Sequence, residues 1–187
     1  MSLQNKINLF FLFLLATTLA LACSGGNELS KANKLVGEAN AADVEGGKSL
    51  DDANKRLSQL FSSDVSFEDR KKLEPTAKDT VESINKAQAK IKEAIQKLDE
   101  ARNLNVPDWY KEYLSALVDR YRNTDALVDV IKDMAKAYMD FSITEPEALL
   151  ARYKELQAKM DKLNKEGEDL DAKVKKIEEA NKDKFKS

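Results

Sequence analysis

Near the C-terminus, Leu149, Tyr153, Leu156, Met160, Leu163, Gly167, Leu170, Val174 and Ile177 follow one another in alternating steps of four and three. A strand cannot use that spacing, because its side chains alternate with period two. A helix can, and a register held over about four heptads calls for coiled-coil-like packing against a neighbour. The stretch 145–184 is therefore expected to be one long helix. Thr144-Glu145-Pro146-Glu147 reads as its start, a capping box with proline in the first turn. Residues 185–187 are expected to fray.

The same period organises the rest of the chain. Over 28–61, Leu29, Val36, Leu50 and Leu57 share one register, and Ala32, Ala39, Ala53 and Leu60 share the complementary one. Asp43 and Gly46 stand in the missing places. Gly46-Gly47 weakens a helix by about 1 kcal/mol per glycine, and Ser49-x-x-Asp52 could cap a fresh start. Two readings follow, a break into two helices or one kinked helix. The register resumes unchanged after the glycines, which favours the kinked helix, with Asp43, Gly46 and Gly47 as its hinge. A kink that turns Asp43 to solvent is the simpler account of an acid in an apolar register. A ligand contact at Asp43 is the alternative.

Ser66 with Asp69 makes a capping arrangement for a second helix over 67–103. Pro75 either ends a short lead-in helix near Leu73 or kinks the longer one. Val81, Ile84, Ile91, Ile95 and Leu98 follow, with Ala87, Ala94 and Ala101 beside them. Pro107 suits the first turn of a third helix over 107–141, whose apolar face, from Tyr110 and Tyr113 through Tyr121 to Tyr138, is wide enough for two neighbours. The alanine stripes of the first two helices predict that these two pack closely.

Four such stretches of similar length, each roughly 50–60 Å as helix, are joined by short turns. An all-α, elongated, antiparallel up-down-up-down four-helix bundle is the expected fold, without an internal domain boundary.

Ahead of the bundle, residues 1–22 carry one charge, Lys6, then the apolar run Ile7–Leu21 of fifteen residues. That is shorter than the roughly 20 residues needed to span a hydrocarbon core. A basic start, a short apolar middle and small residues at the end describe a signal peptide. The run closes on Leu19-Ala20-Leu21-Ala22, directly before the chain's only cysteine, Cys23. This end resembles the lipobox of bacterial lipoproteins. The resemblance, which covers only the first two dozen residues, implies cleavage before Cys23 and acylation of its thiol. It makes 23–27 a lipidated residue on a flexible Ser-Gly-Gly-Asn tether. Ser24 after the cysteine implies the outer membrane if the host has two membranes. Ala20-Leu21-Ala22 also fits the Ala-x-Ala site of ordinary signal peptidase, which would make the protein a soluble secreted one.

Without residues 1–22 the chain has 30 basic and 33 acidic side chains, mixed in sign. That argues against nucleic acid as the partner. The chain has no histidine, and acylation would occupy its one thiol. Imidazole or thiolate catalysis, haem or zinc ligation by His and Cys, and di-iron bundle sites all lose their residues. No catalytic residue, metal site or cofactor is expected. The function implied is a non-catalytic binding, adaptor or spacer protein of the cell envelope, membrane-anchored through its N-terminal lipid, with a protein partner of unstated identity. A carrier or sensor of a lipid or small apolar ligand is the alternative. The strict register of the fourth helix would also serve a homo-oligomer. Trp109, Tyr110 and Tyr113, at the end where the first helix begins, either rest against lipid headgroups or plug the core.

Overall fold

A computed structural model of the chain describes residues 27–61 and 66–185. The expected signal peptide, Cys23, most of its tether and the turn residues 62–65 lie outside the described residues. Four long helices follow one another: α1 (Asn27–Leu60), α2 (Glu74–Arg102), α3 (Asp108–Met139) and α4 (Pro146–Ala180). A short 3₁₀ helix, Glu68–Leu73, precedes α2. They form an all-α four-helix bundle, with no strand among the described residues.

The direction of each helix can be read from the side chains that meet across its seams. Lys97 pairs with Glu38 at 2.9 Å and Lys90 with Glu45 at 2.7 Å, so α2 runs against α1. Gln88 bonds to Asp125 at 3.0 Å and Arg122 to Asp99 at 3.3 Å, turning α3 against α2. Tyr113 donates to Glu178 at 3.2 Å and Arg120 to Asp171, turning α4 against α3. The topology is up-down-up-down.

The closest seam is α1 on α2, where Ala32, Ala39, Ala42 and Ala53 face a stripe of Ala77, Ala87, Ala94 and Ala101, all buried. Small residues let the axes approach. Gly46 belongs to this stripe: a Cβ there would lie 3.2 Å from Lys90 Cβ and 3.4 Å from the Ala87 carbonyl. The extended close contacts run between consecutive helices, and α1 makes no comparable approach to α4. All nine register positions of α4 turn inward, with Leu149, Leu156, Met160, Val174 and Ile177 buried and the other four half-buried.

Several boundaries differ from expectation. Helix α1 is continuous through Gly46-Gly47, and Ser49 Oγ bonds back to the Glu45 carbonyl at 3.5 Å instead of capping a new start. Asp43 does not turn to solvent. It is 3% exposed, because an unbroken helix keeps the register that points it inward. Ser66 and Asp69 do bond as expected, with Asp69 N donating to Ser66 Oγ at 3.2 Å and Ser66 Oγ to Asp69 Oδ2 at 3.0 Å. The turn they start is the 3₁₀ helix, which ends at Leu73 before Pro75 enters α2. The capping box at Thr144 does not form: the N-cap of α4 is Glu145, one residue later, and no side chain caps it. At the other end α4 stops at Ala180, and Phe185 is not frayed but 4% exposed.

Candidate functional site

Aromatic clusters close both ends of the bundle. At the N-terminal end, where α1 and α3 begin and α4 finishes, Tyr110 is 1% exposed. Its ring stacks on Tyr113 with centroids 6.0 Å apart. Phe185 folds back from the end of α4 to meet Tyr113 at 5.1 Å and Trp109 at 5.0 Å, both edge-on. Lys184 lies 5.4 Å over the Trp109 ring. The structure thus brings together all three aromatics expected at this end, and turns the two tyrosines inward as a plug. Only Trp109 keeps part of its ring at the surface.

The polar tips of this plug are satisfied. Tyr110 donates to Asn33 Oδ1 on α1 at 2.7 Å, and Tyr113 donates to Glu178 Oε1 on α4. Burial pushes the Tyr110 phenol up to about 12. Burial also raises Tyr113, assisted by the Glu178 charge beside it.

Midway along the bundle, Asp43 faces Tyr121 and Arg120 of α3. Burial raises its carboxyl to about 6, against the opposing pull of the Tyr121 hydroxyl and the Arg120 charge. A buried acid is tolerated because it has these partners. Gly46 and Gly47, expected beside it as a hinge, have separate surroundings, Gly46 against α2 and Gly47 in open space.

At the far end, the side-chain cluster is one that sequence reasoning missed. There the 3₁₀ helix, the end of α1, the end of α3 and the start of α4 assemble Phe61, Phe67, Arg70, Tyr138, Phe141, Ile143 and Tyr153. The Phe61 ring meets Tyr153 at 5.1 Å and Tyr138 at 6.2 Å, both edge-on. The Arg70 guanidinium lies 4.2 Å over Phe67 and 5.4 Å from the Phe141 centroid. One of its nitrogens, Nη2, donates to the Ile143 carbonyl. Arg70 is 6% exposed, yet its Nη1 has no hydrogen-bond partner. The hydroxyls of Tyr138 and Tyr153 are also buried and without a partner. The sequence signal was faint: aromatic residues on both flanks of one turn, Phe61 and Phe67, and one, Phe141, at the next.

Among the described residues no helix is long and apolar enough to cross a membrane. Nor do their Asp and Glu side chains gather in a group of three or more that could hold a metal. No family model, no curated protein and no solved structure matches this chain.

Proposed function

We propose that the protein is a lipid-anchored, non-catalytic binding module of the cell envelope, tethered at Cys23 and meeting its partner with the far end of its bundle. In a host with two membranes the anchor would lie in the outer one. The observation that carries this reading is Cys23 itself, the chain's single cysteine, placed directly after an apolar leader that ends Leu19-Ala20-Leu21-Ala22. A chain without histidine supports a binding role, since the usual base for activating a nucleophile is missing. The fold suits it: α1 begins four residues after Cys23, so the tether enters at the plugged end and the opposite end is free to face outward.

Two experiments test the two parts. Intact-mass measurement of the N-terminus is expected to find a diacyl or triacyl adduct on Cys23, lost in Cys23→Ala. An unmodified thiol would return the protein to the soluble secreted class. For the binding end, a photo-crosslinker at the exposed Ser142 is expected to trap a specific partner in cells. A crosslinker on the exposed face of α4, at Lys165, serves as the comparison site. Equal trapping at both positions would remove the assignment to the far end.

A further inference from the structure

We propose that Arg70, Tyr138 and Tyr153 form a receptor for a small monocarboxylate at the far end of the bundle. The proposal rests on reading that end as the binding end, and it names the chemistry found there. Arg70 is unlike the other buried polar residues. Asp43 has Tyr121 and Arg120. Thr80 donates to the Thr76 carbonyl at 2.7 Å. Gln88 reaches Asp125 and Asp129, and accepts from Lys132. Arg70 alone among these four brings inside a charge that forms no ion pair with a described carboxylate, although the exposed Asp140 carboxyl feels its charge. One carbonyl and two aromatic faces hold its guanidinium, and a buried charge without a carboxylate in contact is unfavourable, as the cost of breaking a buried pair shows.

Three donor atoms of this cluster have nothing to accept from them. Nη1 carries two N–H groups, and each phenol carries an O–H, and none of these atoms has a partner. The guanidinium acts electrostatically on both phenols, opposing the rise that burial imposes on them, while the Asp69 charge adds to the rise at Tyr138. The walls are apolar: Phe61, Phe67 and Phe141. A guanidinium edge with two phenol donors suits a planar oxyanion that takes charge-assisted bonds. One buried cation balances one negative charge, whereas phosphate brings close to two. A carboxylate on a small apolar body meets both conditions. The connection 140–145 carries Ile143, whose carbonyl already holds Nη2. It is exposed over most of its length, and it is the piece that must shift to admit the ligand.

The test is thermal unfolding of the full chain at pH 7 with phenylacetate or hexanoate, against phenylacetamide and inorganic phosphate. A ligand that binds only the folded state raises Tm in a saturable way. At least one of the two carboxylates is expected to do so, the amide is not, and phosphate is expected to fall well short. Arg70→Met is expected to abolish the response. Tyr138→Phe and Tyr153→Phe, which remove only an oxygen, are each expected to weaken binding about ten-fold. Should Arg70→Met not fold, the two phenol variants decide. No saturable rise with either acid would overturn the receptor, as would an equal rise with the amide or unchanged affinity in both phenol variants. Phosphate matching the acids would overturn the monoanion assignment. Trapping at Ser142 that persists without any carboxylate response would sink this inference alone, and loss of both would sink the binding end with it.

Discussion

The two ends of the bundle are closed with the same material, and they differ in what becomes of its polar atoms. At the N-terminal end two tyrosines, a tryptophan and a phenylalanine pack together, and both phenols donate to a side chain on another helix. At the far end two tyrosines and three phenylalanines surround an arginine, and three polar atoms are left without partners. Burying a polar group is tolerated when it is bonded and unfavourable when it is not. The first end is therefore a finished plug. The second carries an unmet electrostatic demand, which is the reason to look for a ligand there.

The largest effect should come from removing the finished plug. Tyr110→Ala is expected to lower stability by about 3–5 kcal/mol, in the range of large aromatic truncations in cores, read from urea unfolding. Trp109→Ala, at a half-buried position, should lose clearly less. A loss of equal size at both would mean the plug is not centred on Tyr110.

Asp43 supplies an intermediate case, a buried charge that has partners but remains strained. Its carboxyl stands at about 6 in the folded chain against an ordinary 3.8. The folded state therefore holds this proton more tightly than the unfolded chain does. The stabilisation is fully present below 3.8 and is lost as pH rises through about 6. The difference amounts to about 3 kcal/mol between the two limits. Relative to Asp43→Asn, the parent should lose stability between pH 4 and pH 7, measured by denaturation of both proteins at each pH. Parallel curves for the two would refute a raised carboxyl.

Deleting single hydroxyls compares the two ends directly. Tyr110→Phe strands Asn33 Oδ1 and should lower stability by about 1–2 kcal/mol. Tyr138→Phe removes an oxygen that bonds to nothing, and should be neutral or slightly stabilising in the absence of ligand. If the two variants lose the same stability, the contrast between the ends is wrong.

The smallest effects concern the glycine pair. Gly47→Ala meets open space and should raise stability by about 0.5–1 kcal/mol through helix propensity. Gly46→Ala should gain less or lose, since its Cβ would press on Lys90 and the Ala87 carbonyl. Equal gains would mean that α1 and α2 have room to part.

Much of the fold was legible because helix formation and face selection are local and periodic. The nine register positions of α4 point inward as their spacing required, and the alanine stripes lie in the closest seam. The errors have one kind of cause. Thr144 matched a capping box whose helix starts one residue later. Phe185, two residues from the C-terminus, was expected to fray because nothing near it in sequence holds it; Trp109 and Tyr113, more than 70 residues earlier, do. Asp43 was given to solvent on the assumption of a kink that the continuous helix does not need.

By itself, then, the sequence determined four amphipathic helices, their order and their inward faces, because a seven-residue period can bury one stripe in only one way. It also supplies the apolar stretch before Cys23 on which the proposed anchor rests. Only the tertiary structure decided which buried polar groups are satisfied. Arg70 looks like any other basic residue in a charged stretch until four separate segments close around it. Whether a buried charge has a partner depends on distances through space, and no spacing along the chain encodes them.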